Sequence, residues 1–100
     1  MPNAPDLGPF LHAIADPARR RILQALKDKD KDKGTGGKDL GLNAGDIEGR
    51  VKLSQPTVSH HMRILEKAGV VEVKKQGTWR WYRRNQKLIS QMTRAMKTQL

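Results

Sequence analysis

Cysteine is absent from this 100-residue sequence, so disulfides, thiol redox sensing and cysteine-ligated metal are all excluded. Aromatic residues number four (Phe10, Trp79, Trp81 and Tyr82), and hydrophobic residues of all kinds make up only 36%. Such a chain buries one modest core in a single domain, and a partner subunit covering some apolar surface is in keeping with it. No apolar run approaches the length of a membrane span, and no signal-peptide pattern opens the chain. A cytoplasmic location is the expectation. Outside one charged loop there is no nucleophile–base pair, no glycine-rich phosphate loop and no clustered pair of carboxylates, which argues against an enzyme.

Carboxylates are scarce too, but only in one half. Residues 1–49 hold eight Lys and Arg against eight Asp and Glu. Residues 50–100 hold twelve bases against Glu66 and Glu72 alone, which accounts for the whole net charge of +10. A basic half of this kind suits a polyanion, because each neutralised phosphate releases condensed counterions. A membrane surface is the competing polyanion, but no segment sets a broad apolar face opposite a lysine-rich one.

Within the basic half, Leu53–Gly69 (LSQPTVSHHMRILEKAG) has the marks of one helix. Ser54 is a fitting N-cap, its hydroxyl placed to accept a first-turn backbone N–H, and Pro56 falls in the turn where a missing N–H costs nothing. Val58, Met62, Leu65 and Ala68 recur at helical spacing with Ile64 beside them, and Gly69 suits the left-handed residue that ends many helices. The other face carries Gln55, Thr57, Ser59, His60, His61 and Arg63, with no carboxylate before Glu66. Short donors and acceptors without negative charge suit the floor of a DNA major groove, and an ordinary solvated face is the plainer alternative. Val70–Lys75, a turn at Gln76–Gly77 and Thr78–Arg84 then predict a β-hairpin bearing Lys74, Lys75, Arg80, Arg83 and Arg84. A helix of groove-reading character followed by a basic hairpin is the layout of a winged helix-turn-helix. Trp79 and Trp81 share one strand face, with core packing favoured over base stacking.

Residues 1–8 read as a flexible lead-in and 9–100 as a single domain. Pro9–Ala15 predicts a short helix with Phe10, Ile14 and either Leu11 or Ala13 inward. Asp16–Pro17 then opens a helix with Ala18, Ile22, Ala25 and Leu26 as its core stripe. Arg19, Arg20 and Arg21 cannot share one face, so at least one must brace another element or approach phosphate. Residues 27–42, alternating Lys and Asp and then rich in glycine, predict a solvated loop. Asp28, Asp30, Asp32 and Asp39 have the spacing of a calcium loop, but Lys33 stands where the turn needs glycine and lysines interleave the acids. That weighs against calcium. Asn43 to Asp46 forms a capping box opening a helix over Ala44–Val51, with Lys52–Leu53 as the turn into the groove-reading helix. A last helix over Gln86–Leu100 sets Leu88, Ile89, Met92, Ala95, Met96 and Leu100 on one side. They face either the first helix or a second copy. The predicted order is therefore α-α-α-α-β-β-α, mainly helical.

Asp16–Leu23 (DPARRRIL), Leu53–Met62 (LSQPTVSHHM), Glu66–Val71 (EKAGVV) and the wing ending in Trp81–Tyr82 resemble the ArsR/SmtB-type winged-helix regulators across residues 10–100, the charged loop aside. The resemblance implies a homodimer paired through its first and last helices (Phe10, Leu11, Ile14, Leu88, Ile89, Met92 and Met96 here) and seated on an inverted repeat, usually as a repressor. On that pattern Gln55, Pro56, Ser59 and His60 approach the operator, and Lys75, Gln76, Gly77 and Thr78 form the wing tip. Gln55 is the base-reading candidate, since a carboxamide pairs bidentately with adenine, and Thr57, Ser59 and His60 would meet base edges or phosphates. Arg63, Lys74, Lys75 and Arg80 would hold the backbone, while His61 is either buried or phosphate-facing. Two metal sites familiar in that family are missing: Asn43 and Gly45 stand where cysteines would, and residues 86–100 contain no His, Asp or Glu. No metal or other cofactor is expected, and the remaining effector choices are an organic molecule, a partner protein or none. A protein-interaction or RNA-binding module without operator specificity is the alternative reading.

Overall fold

The computed structural model describes residues 5–31 and 41–100. Its elements run α1 (Gly8–Ala15), α2 (Pro17–Lys31), β1 (Leu42–Asn43), α3 (Ala44–Val51), α4 (Gln55–Lys67), β2 (Val71–Gln76), β3 (Trp79–Arg84) and α5 (Gln86–Gln99). This is a winged helix-turn-helix of five helices and a three-stranded antiparallel sheet in the order β1-β3-β2.

Local chemistry explains most boundaries. The Asp16 carboxylate accepts the Arg19 N–H at 3.1 Å and opens α2. At α3 the capping box is complete, with the Asp46 N–H donating to Asn43 Oδ1 at 2.8 Å and the Asn43 N–H to Asp46 Oδ2 at 3.3 Å. Lys52 ends α3 in the left-handed region (φ 56°), making the tight turn of the helix-turn-helix. Gly69 (φ 77°) ends α4 in a Schellman arrangement, its N–H reaching the Glu66 carbonyl and that of Val70 the Leu65 carbonyl. Asn85 then locks the start of α5 to this corner: its side chain caps the Leu88 N–H and donates to the Gly69 carbonyl.

The core is one cluster, in which Ile22, Leu26, Ile47, Val58, Met62, Leu65 and Val70 are fully buried. Of the inward candidates on α1, Phe10 and Ala13 are buried, Ile14 is half-buried and Leu11 stays exposed. On α5 only Ala95 is buried. Leu88, Ile89, Met92 and Met96 are half-buried against the core edge and Leu100 is exposed.

Several expectations need correction. Leu7 is buried, so the lead-in does not extend to α1. The charged loop starts later than position 27, because α2 runs on to Lys31. Once Ile22, Ala25 and Leu26 have nucleated the helix, each further turn needs only its backbone bonds and no core. Asp28 and Asp30 therefore lie on a helix, away from any calcium-loop geometry, while Asp32 and Asp39 lie outside the described residues. The loop also ends earlier than position 42. Leu42 is buried and pairs with Tyr82, and Asn43 pairs with Trp81, adding a third strand to the wing. Gly41 (φ 87°) permits this approach, since a Cβ there would lie 2.0 Å from the Tyr82 carbonyl oxygen.

Candidate nucleic-acid interface

Helix α4 buries Val58, His61, Met62 and Leu65 and turns Gln55, Pro56, His60 and Arg63 outward, with Thr57 and Ser59 half-buried beside them. Ser54 does not cap the helix through its side chain. Its hydroxyl instead pairs with that of Thr57 at 2.9 Å, which uses part of the bonding capacity of both. The outward face carries no carboxylate until Glu66. There the Glu66 carboxylate accepts two bonds from Arg80 Nη2, at 3.3 and 3.2 Å, tying the wing to the end of α4. Arg80 is thus partly engaged within the chain itself, though an exposed pair of this kind contributes under ~1 kcal/mol and exchanges readily. Arg63, Lys74 and Lys75 make no ion pair among the described residues.

The wing turns through Gly77 and Thr78, one residue later than expected, with Gln76 facing Trp79 across the hairpin. Gly77 takes φ 59°, the positive value that a tight two-residue hairpin loop requires at its first position. Lys74, Lys75, Gln76, Thr78 and Arg80 are all exposed. The two tryptophans do not enter the core. Cross-strand pairing sets Val73 against Tyr82 and Val71 against Arg84, so the buried Tyr82 shares the inner face with the valines. Trp79 and Trp81 are left on the outer face, their rings 6.2 Å apart, with Trp79 58% exposed. Sequence reasoning missed this exposed indole, although strand parity held the signal.

His61 belongs to the body of the protein and is removed from the DNA-facing set. It lies on the inward stripe of α4 and is only 9% exposed. Arg19 Nη1 donates to His61 Nδ1 at 3.3 Å, and because a guanidinium only donates, the imidazole is neutral with its proton on Nε2. That nitrogen lies 3.9 Å from Asp16 Oδ2. Burial pushes the His61 pKa down, Arg19 and His60 push the same way, and Asp16 opposes them. The Arg19 backbone N–H holds the Asp16 carboxyl below its usual range against an opposing desolvation effect, and the Arg19 guanidinium adds to the pull.

All three arginines of 19–21 brace other elements. Arg19 donates to the His12 and Ala13 carbonyls at 3.0 and 2.7 Å, and Arg20 to those of Ile14 and Ala15 at 2.8 Å or less. The four C-terminal carbonyls of α1, which have no partner within the helix, are thus satisfied by the next helix. Arg21 does the same for the Val51 carbonyl at the end of α3. Of the expected dimer-contact residues, Phe10 is consumed by the chain's own core at 5% exposure and has little surface left to share. Leu11 is 39% exposed, and Ile14, Leu88, Ile89, Met92 and Met96 are partly covered.

Residues 14–74 match the helix-turn-helix domain family. The chain is 37% identical over 73 residues to transcriptional repressor SdpR of Bacillus subtilis, covering 73% of this chain and 69% of that protein. It is 30% identical over 84 residues to the arsenical resistance operon repressor of Staphylococcus aureus, covering 84% of this chain and 70% of that protein. The crystal structure of an ArsR family transcriptional regulator superimposes with a TM-score of 0.70 at 22% identity, covering 93% of this chain and 84% of that one.

Proposed function

The chain belongs to the ArsR/SmtB-type winged-helix transcriptional regulators, which bind DNA, and on that premise we propose that it is a homodimeric repressor seated on an inverted-repeat operator. The observation that carries the reading is the outward face of α4: Gln55 to Arg63 without a carboxylate, where Arg63 and the neighbouring Lys74 and Lys75 make no ion pair among the described residues. Each copy would lay α4 in a major groove, two copies standing about one DNA turn, roughly 34 Å, apart. Gln55 would read a base. Thr57, Ser59 and His60 would touch base edges or phosphates, with Pro56 in van der Waals contact. Arg63, Lys74, Lys75 and Arg80 would grip the backbone, and Gln76 and Thr78 would sit at the wing tip. Residues 9–100 would act as one domain, pairing through α1 and α5 by way of Leu11, Ile14, Leu88, Ile89, Met92 and Met96. The exposure of Leu11 and the half-covered α5 stripe support that surface. The site of action would be the cytoplasm.

The test is selection of genomic fragments on the immobilised protein, followed by anisotropy titration of the retained duplex at fixed salt. An inverted repeat bound at least a hundred-fold more tightly than random duplex supports the reading. Gln55→Ala should then lose discrimination at one base pair, on the order of 1–3 kcal/mol, and leave random-duplex affinity unchanged. Equal affinity for the repeat, random duplex and single-stranded RNA contradicts it and favours a module without operator specificity.

A further inference from the structure

Between α1, α2, α5 and the ends of the wing lies a solvent-open pocket of about 270 Å³ that the proposed DNA-facing surface does not use, although Ile14 and Ile89 of its wall also belong to the proposed pairing surface. Phe10, Ile14, Leu23, Val70 and Ile89 form apolar walls, while Arg20, Lys27 and Arg84 stand around them. No carboxylate lines it among the described residues. Gln24, the other polar wall residue, donates to Asp28 at 2.9 Å. Arg20 gives Nη1 to the end of α1, and neither Lys27 nor Arg84 has an ion-pair partner among the described residues. The combination is an apolar pocket whose positive charge meets no carboxylate among the described residues.

We propose that this cavity binds a small amphipathic anion: a carboxylate carrying one ring or a medium-length acyl chain. Its size lies between the ~150 Å³ cavity that takes up benzene and the ~300–1,000 Å³ of drug-sized sites. The apolar walls cover the hydrocarbon part, and the three cations supply the countercharge. A second copy of the chain is the poorer occupant. Helix α1 carries no acid, and residues 86–100 bring Lys87, Arg94 and Lys97 with no Asp or Glu, so a copy alone would set cations against cations. An anion offsets that repulsion, and its occupancy is therefore linked to the pairing of α1 and α5. That consequence rests on the dimer proposed above, whereas binding itself does not.

The test is calorimetric titration of the full chain, without DNA, using octanoate and its neutral counterpart 1-octanol. Saturable octanoate binding, one per chain and at least ten-fold tighter than 1-octanol, is expected. The double variant K27Q/R84Q should weaken octanoate at least ten-fold and leave 1-octanol unchanged. Leu23→Trp should abolish both by filling the chamber, and if it fails to fold, the double variant decides alone. Equal affinity for the two probes, or no saturable octanoate binding, overturns the proposal. So does a double variant that alters only the dimer constant in sedimentation, which would give the cavity to a second copy. Because no DNA is present, failure here leaves the operator reading standing, and failure of that reading leaves this site standing.

Discussion

Replacing Arg19 with methionine should detach α1 from α4. The side chain is 7% exposed and donates to the His12 and Ala13 carbonyls at 3.0 and 2.7 Å, with a longer contact of 3.3 Å to His61. Hydrogen bonds to a charged group contribute ~1.5–3 kcal/mol each, and the carbonyls left behind lose their partner away from water. Removing the guanidinium also removes its own burial cost, so the net loss is about 3 kcal/mol, a large part of the ~5–15 kcal/mol that holds a domain of this size. Urea unfolding at one protein concentration should show a lower midpoint with unchanged slope, and Tm should fall by about 15 °C. Hydrogen exchange at residues 10–15 should rise before global unfolding. Arg20→Met is the control. It caps the next two carbonyls of the same helix, but in solvent, and should cost under ~1 kcal/mol. If both substitutions cost the same, or Arg19→Met costs less than ~1 kcal/mol, burial of the joint does not explain its strength.

The lowered His61 pKa makes stability pH-dependent with a definite sign. The unfolded chain takes up the proton first, so stability is full above about pH 6.5 and declines as pH falls toward the folded value. His61→Gln should flatten the Tm profile between about pH 7 and 5.5, and an unchanged slope would remove His61 as its cause. Two glycine substitutions should have opposite signs. Gly49→Ala on α3 meets nothing within 4 Å and should stabilise by ~0.5–1 kcal/mol. Gly41→Ala would drive a Cβ to within 2.0 Å of the Tyr82 oxygen and should destabilise by ~2 kcal/mol or more, both read by urea unfolding. Lys75→Ala should weaken binding to every duplex alike and reduce the slope of log affinity against log salt by about 1, whereas a sequence-dependent loss would make it a reader.

Features fixed by neighbours in sequence were legible without the structure. The capping box at Asn43 and Asp46, the Gly69 stop and the α4 stripe each depend on a few adjacent residues, and each stands where the spacing put it. Strand β1 was not legible, because two residues carry no period and its pairing with Trp81 and Tyr82 is long-range. His61 sits three residues after Val58 and four before Leu65, so periodicity allowed burial while its polarity kept a phosphate contact open, and the Arg19 partner decides for burial. The exposed Trp79 was a failure of weighting. Whether the hairpin turns at 76–77 or 77–78, odd positions of β2 face even positions of β3, which puts Tyr82 with the valines. Size and hydrophobicity favoured the indoles and overrode that parity.

Amide shift mapping of the ¹⁵N-labelled chain, titrated with a duplex retained from the genomic selection, tests the DNA-facing surface most directly. Perturbations should concentrate at Gln55–Arg63 and Lys74–Arg80 and spare Arg20–Lys27. Shifts confined to α1 and α5, with α4 silent, would contradict the account.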